Sequence, residues 1–227
     1  MSERAVVVEI HFNSIAFSDN IYSLEWIKYR MDITMRYTVP SLANQTDKRF
    51  SAFLYYMDGT EPLIREALQP YGPLPAHIQF IPISLRDEKV NEAIRDSQTA
   101  YVARIDSDNM FVKTYIERLR ACKPNPATEV LVTRQGYLYD CATNRMATVT
   151  YKSPSFFTFI YRTEDYIAGN RYAVKTHNDA IKYKYELIGG RNFVVTIHGS
   201  NELLRFKVRA SELIAQSKVE ALLNQFR

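Results

Sequence analysis

Two carboxylates stand one residue apart in the stretch Tyr101-Val102-Ala103-Arg104-Ile105-Asp106-Ser107-Asp108-Asn109-Met110-Phe111. The run before them is mostly apolar and β-branched, and a helical pattern follows. Residues i and i+2 of an extended chain share a face. Asp106 and Asp108 are therefore expected to point the same way as the strand opens into a loop. Carboxylates held close repel each other unless a cation lies between them. Mg2+ and Mn2+ prefer oxygen ligands and bridge one or two carboxylates to substrate phosphates. The spacing thus predicts a metal–diphosphate site beyond the carboxyl end of a strand. Asp-Ser-Asp-Asn is also ordinary turn chemistry, so the surrounding elements carry weight.

Thr99 to Ile105 reads as the strand that delivers the pair. Ala5 to Phe12 reads as a buried first strand, and Phe50 to Met57 as a second, stopped by Asp58-Gly59. Leu24 to Val39 reads as a helix, with Leu24, Ile27, Met31, Met35 and Val39 at spacings of three and four, and Pro40 at its end or kink. Thr60 is placed to cap a helix through Leu68, with Pro62 in the first turn. Ile78 to Ile83 is a short strand and Asp87 to Ser97 a helix. Strands alternating with helices predict a mixed, mostly parallel α/β sheet flanked by helices. Ligands of such sheets bind beyond the carboxyl ends of the strands, where Asn13, Asp58, Asp106 and Asp108 all fall.

After Phe111 the alternation weakens. Val130 to Thr133, Tyr137 to Tyr139 and Met146 to Tyr151 read as shorter, antiparallel strands. The aromatic run Ser153 to Tyr161 suits core packing better than a sugar pocket. Asp179 to Leu187 reads as a short helix, and Phe193 to Ile197 as a strand ending in His198-Gly199-Ser200-Asn201. Ser211 to Arg227 reads as a C-terminal amphipathic helix docked through Ala215, Val219, Leu222 and Phe226. No repeat, low-complexity tract or linker divides the 227 residues, which are expected to form one domain.

The composition, 46% hydrophobic and 24% charged, is that of a globular protein and argues against disorder. Net charge is +4, made of −4 over residues 1–109 and +8 over 110–227. A basic second half attracts phosphates, an anionic acceptor or a membrane surface. Cys122 and Cys141 form no CxxC pair, so no zinc site is indicated. No secretory h-region opens the chain and no run nears 18 apolar residues. The expected location is cytoplasmic, with peripheral membrane contact allowed.

Read together, Tyr37 to Thr46, Phe50 to Met57, Asp58-Gly59-Thr60 and Ala100 to Met110 resemble the nucleotide-binding half of a GT-A glycosyltransferase. That superfamily places a helix ending S-hydrophobic-x-x-Q-T before a strand closing in Asp, and a D-x-D motif after a later strand. Trp26-Ile27-Lys28-Tyr29-Arg30 through Gln45-Thr46 resembles more narrowly a bacterial rhamnosyltransferase group, and His198-Gly199-Ser200-Asn201 resembles its C-terminal H-G-x-N element. The resemblance covers mainly residues 5–120. It implies a Rossmann-type GT-A-like fold, with a nucleotide-sugar half over 1–120 and an acceptor-side half over 121–227. It also implies a Mn2+ or Mg2+ cofactor, a dTDP- or UDP-sugar donor, a glycan or other hydroxyl acceptor, and no nucleic-acid partner. By residue, it assigns Asp106-Ser107-Asp108 to metal and diphosphate and His198 to the metal. Asp58 falls at the nucleobase, although the double Asp common there is Met57-Asp58 in this chain. Phe12 and Asn13 fall in the nucleoside loop, while Arg30 is placed to reach the nucleotide or to form an ion pair on the helix surface, and Arg104 to neutralise phosphate or to hold Asp106. The base of an inverting reaction would sit at a helix start after the D-x-D region. Asp179 fits that order, although a plain N-cap or first-turn Asp reads equally well there, and the pair Glu164-Asp165 is its rival.

Two other D-x-D chemistries fit poorly. A haloacid-dehalogenase-type phosphatase wants Thr or Val after the second Asp, where Asn109 stands. An EF-hand loop needs an oxygen ligand and a glycine where Met110 and Phe111 stand. The remaining alternative is a non-catalytic binder of anionic glycan or nucleic acid, using the basic, Tyr-rich second half.

Overall fold

The structure, a computed structural model, describes residues 2–14, 19–199 and 205–227. The first half alternates as the sequence predicts: β1 (Ser2–His11), α1 (Leu24–Arg36), α2 (Thr38–Ala43), β2 (Ser51–Tyr56), α3 (Glu61–Leu68), β3 (Ile78–Pro82), α4 (Arg86–Ile94) and β4 (Ser97–Arg104). Then follow β5 (Met110–Phe111), α5 (Tyr115–Ala121), β6 (Val130–Val132), β7 (Gln135–Asp140), β8 (Arg145–Thr150), β9 (Phe157–Arg162), α6 (Thr163–Ile167), β10 (Tyr185–Leu187), β11 (Arg191–Ile197) and α7 (Gln216–Leu223). Seven strands form the main sheet in the order β10-β6-β9-β4-β1-β2-β3. β4, β1, β2 and β3 run parallel, and β9 is antiparallel to both its neighbours. This is the expected class, a mixed, mostly parallel α/β sheet flanked by helices.

Residues 6–10 of β1 show why the sheet is covered on both sides. Val6, Val8 and Ile10 pack into one cluster with Leu42, Leu54 and Ile116. Val7 faces the other way, against Phe53, Val90, Ile94 and Val102. A strand buried on both faces reads as a continuous apolar run, and Val-Val-Val is such a run.

Pro40 acts differently from a simple helix stop. It lies in the first turn of α2, where its missing N–H costs nothing. The break falls earlier, at Tyr37 (φ −120°, ψ −62°), because Pro40 has no N–H to donate to the Arg36 carbonyl four residues back. Two later helices are corrected. Residues 177–182 form a 3-10 turn, and Tyr185–Leu187 joins the sheet as β10. The open edge of β6 recruits that segment through parallel pairing from Val130 to Val132. At the C-terminus the helix spans only Gln216–Leu223. Leu213 bridges Ala147 and Ile214 N–H donates to Met146 O at 2.9 Å, so pairing with β8 claims those residues first. The docking holds in part: Val219 and Phe226 are fully buried as expected, with Phe226 edge-on to Tyr137 at 5.9 Å, but Leu223 is buried more deeply than Leu222, and Ala215 is exposed ahead of the helix. Among the described residues no helix is long and apolar enough to cross a membrane.

A second sheet, ordered β5-β11-β7-β8, leaves the main sheet directly after the acidic motif. Its tightest point is Gly136 of β7, opposite Phe193 of β11. A Cβ there would lie 2.4 Å from the Phe193 ring and 2.5 Å from its carbonyl oxygen. The ring cannot retreat, because Phe156 stacks on it at 4.0 Å. Gly136→Ala is expected to cost about 1–3 kcal/mol, the range for overpacking, in urea unfolding followed by circular dichroism. Unchanged stability would show that β7 and β11 are less tightly joined.

Candidate active site

The acidic motif lies past β4, which ends at Arg104. Asn109 N–H donates to Asp106 O at 3.1 Å and closes a turn over Asp106-Ser107-Asp108-Asn109. The alternation of an extended chain therefore stops before the motif, and the two carboxylates take different partners. Asp106 meets Arg104 Nη2 at 3.3 Å and Asn109 Nδ2 at 3.5 Å, and also bonds Ser155. Asp108 Oδ2 lies 3.2 Å from His198 Nε2 and 3.4 Å from Arg30 Nη1.

His198 arrives from 90 residues away because β11 pairs with β5. Two bonds fix this register. Thr196 N–H donates to Asn109 Oδ1 at 3.1 Å, and Thr196 Oγ1 donates to Asp108 O at 2.5 Å. Asn109 is itself buried, and its carbonyl accepts from Thr38 Oγ1 at 2.8 Å. Arg30 comes from α1, where Thr34 Oγ1 bridges Arg30 O at 2.9 Å and Ser107 O at 2.8 Å. Arg30 Nη2 donates to Ser107 Oγ at 2.8 Å, and Nη1 lies 3.3 Å from His198 Nε2. Tyr29 Oη approaches His198 Nδ1 at 3.4 Å. Ser200 and Asn201 lie outside the described residues.

The electrostatics separate the two carboxylates. Burial alone would raise Asp108, but hydrogen bonds and charge from His198 and Arg30 outweigh it and hold it below the ordinary carboxylate value. Asp106 is raised, by desolvation with the Asp108 charge adding and Arg104 opposing. The Asp108–His198 pair suits a divalent ion. Cis ligands of an octahedral ion at about 2.1 Å are about 3.0 Å apart, and these two donor atoms are 3.2 Å apart. The protein set is small. Among the described residues no three His, Cys, Asp or Glu side chains gather as a metal cluster. Asp106, read from the sequence as a ligand, is turned to Arg104 and Asn109 instead. The remaining ligands would come from phosphate and water, the usual habit of Mg2+.

The strand ends beside this turn form the rest of the edge. Asn13 is 2% exposed; its Nδ2 donates to Ile21 O and Thr60 Oγ1, and its Oδ1 accepts from Met57 N–H. Phe12 is buried with Ile27, Met31 and Tyr56, edge-on to Phe80 at 5.4 Å. Neither side chain is available to a nucleoside; both fix the chain immediately after β1, at residues 12–13. Asp58 is exposed at the end of β2 and accepts from Ser84 Oγ.

Sequence reading missed the neighbours of Ser84. A cavity of about 400 Å³ is lined by His11, Ile83, Ser84, Arg86 and Asp87. Behind it Arg86 holds Glu9 through two bonds of 2.7 and 3.0 Å, and Tyr55 Oη donates to Glu9 Oε1 at 2.7 Å. His11 is pushed down to about 4 by burial, with help from the Arg104 and Arg86 charges, and so is neutral at pH 7. The available signal was Glu9 itself, a charge inside an apolar strand, with His11 two residues on.

The two base candidates are not brought to this edge as free carboxylates. Asp179 Oδ2 accepts from the Lys175 and Thr176 N–H groups at 2.9 Å, and Oδ1 pairs with Lys182 at 2.5 Å. The Lys182 bond and the Thr176 cap hold it down to about 2, which makes it a weak proton acceptor. Asp165 lies at the opposite edge of the sheet. β9 runs antiparallel to β4, so Arg162 pairs with Thr99 at the start of β4, and Asp165 lines a groove there with Arg4 and Thr99. Glu164 is paired with Arg162.

Residues 9–210 match the model of the family described as Putative rhamnosyl transferase. No curated protein matches the chain in sequence. Among solved structures, the chain is similar to S. aureus TarS 1–349 in complex with UDP-GlcNAc, at 13% identity and a TM-score of 0.47, over 88% of this chain and 60% of that one. The chain thus spans about 60% of the length of that relative. It is also similar to 4-diphosphocytidyl-2C-methyl-D-erythritol synthase from Anaerococcus prevotii, at 12% identity and a TM-score of 0.43, over 98% and 97% of the two chains.

Burial alone would raise Glu9; the Arg86 and Tyr55 bonds outweigh it and leave Glu9 below its ordinary value. This contribution is present above the unfolded carboxylate pKa and lost as pH falls through the lower folded value. Arg86→Met strands the carboxylate and raises its folded pKa. The expected cost at pH 7 is about 2 kcal/mol, less than for a fully buried pair because Arg86 is partly exposed. The deficit should shrink as pH falls from 7 to 5 in urea titrations. A deficit constant over that range would contradict the reading.

Proposed function

The chain belongs to the family described as Putative rhamnosyl transferase, and from that membership we propose a metal-dependent transfer of rhamnose from a nucleotide-diphosphate donor to a hydroxyl acceptor. The observation that carries the metal and diphosphate is the 3.2 Å approach of Asp108 Oδ2 to His198 Nε2, beside Arg30, at the carboxyl edge of the parallel strands. A Mn2+ or Mg2+ ion held by Asp108 and His198 would stabilise the charge that develops on the leaving diphosphate. Arg30 and Arg104 are the guanidinium groups at this edge that offer bidentate bonds to phosphate oxygens. Ser107, whose hydroxyl holds Arg30, positions that group. Asp106, turned toward Arg104, holds that guanidinium at the edge. Asp58 and Ser84, with the cavity beside His11, form the nucleobase pocket.

In this reading residues 1–120 bind the donor and residues 121–227 face the acceptor, with His198 returning from the second half to the donor. The leading donor is dTDP-rhamnose, from the family's name, and the acceptor is a glycan or other hydroxyl compound. The location is cytoplasmic. Membership of a transferase family favours an enzyme over a non-catalytic polyanion binder.

The test is thermal stabilisation by dTDP and by UDP, each with and without Mn2+. A ligand at one hundred times its Kd stabilises the folded protein by about 2.7 kcal/mol. The expected result is a rise in Tm with dTDP plus Mn2+ that exceeds the sum of the separate effects and vanishes in Asp108→Asn. Stabilisation by any polyanion, abolished by salt and indifferent to Mn2+, would favour the binder instead.

A further inference from the structure

Arg30 stands where a cation would stand. Its Nη1 lies 3.4 Å from Asp108 Oδ2 and 3.3 Å from His198 Nε2, so the guanidinium faces both atoms of the donor pair at once. A divalent ion bound between the pair would meet a fixed positive charge at close range, and the two cannot share the site without strong repulsion. We propose that Arg30 is a built-in substitute cation. It neutralises Asp108 and lies against His198 while the donor is absent, and passes to the diphosphate when metal and donor arrive, so that metal alone binds weakly and nucleotide and metal bind together. This rests on the metal–diphosphate reading above.

Three observations support a group held ready to leave. The contacts to Asp108, at 3.4 and 3.5 Å, are longer than the 2.7–2.9 Å of a closed charge-assisted bond. Among the described residues, the bond to Ser107 Oγ, at 2.8 Å, is the short one. Arg30 Nε is buried with no hydrogen-bond partner among the described residues, so this pose leaves a donor unsatisfied. The backbone, by contrast, is fixed. Thr34 ties the Arg30 carbonyl to that of Ser107, so the handover needs only side-chain rotation. Trp26, one turn back on α1 with its ring centroid 6.0 Å from the guanidinium, offers a face along that path.

Linkage gives the test. If Arg30 competes with metal, removing it strengthens metal binding in the absence of nucleotide and reduces what nucleotide adds. Mn2+ binding is measured by electron paramagnetic resonance of the free ion, with and without dTDP, for the full chain, Arg30→Met and Asp108→Asn. The expected result is that Arg30→Met binds Mn2+ alone roughly tenfold more tightly, the worth of one charge-assisted bond, and gains less from dTDP than the unaltered chain. Equal or weaker binding of Mn2+ alone by Arg30→Met, with binding still lost in Asp108→Asn, would overturn the substitute-cation role and leave the metal reading standing. No Mn2+ binding by the unaltered chain, even with dTDP, would overturn both. If Arg30→Met does not fold by circular dichroism, Ser107→Ala removes the one short bond on the guanidinium and carries the same expectation, with a smaller gain.

Discussion

The site depends on a short pairing between two strands far apart in sequence. β5 has two residues, yet its bonds with β11 bring His198 to Asp108. Asn109 and Thr196 set this register with side-chain bonds to the partner backbone. Because both are buried, breaking either contact leaves polar groups unpaired inside the protein, which penalises slippage. Asp108, buried beside His198 Nε2 at 3.2 Å, is a carboxylate that needs positive charge close by. In the protein by itself, Arg30 supplies it.

The rest of the edge follows from the parallel strands. β1, β2, β3 and β4 end together, so residues immediately after them converge without any being near in sequence. Asn13 saturates itself between the ends of β1 and β2 and holds the loop, while Asp58, Ser84 and His11 remain at the rim. Glu9 and Arg86 lie beneath the rim as a compensated, partly buried pair, and their charges act on His11. Electrostatic order is thus built from below: a satisfied charge pair, a neutral imidazole, then the acidic turn with its two arginines.

Much of this was legible from residue type and spacing. The Val-Val-Val run of β1, the Asp after β2 and the acidic pair after β4 gave the alternation and the edge where ligands gather. His198 was legible through its Gly-Ser-Asn context, but not its specific pairing with the second Asp alone. That depended on the turn closed by Asn109, which cancels the i, i+2 rule at the motif. Pattern also misled where long-range pairing overrode local preference. Tyr185–Leu187 looked helical until the edge of β6 claimed it, and residues 213–214 left the terminal helix to pair beside β8. Asp179 fitted the order expected of a base, yet order says nothing about the Lys182 partner and backbone caps that occupy its oxygens. Asp165 failed for topology: an antiparallel β9 carries the residues immediately after it to the far edge of the sheet.

The most direct measurement is the anomalous scattering of a crystal grown with Mn2+ and dTDP. The account expects a single manganese peak bonded to Asp108 Oδ2 and His198 Nε2, with the Arg30 guanidinium moved onto the diphosphate. A dTDP molecule bound with no peak between Asp108 and His198, and Arg30 still lying across them, would contradict it.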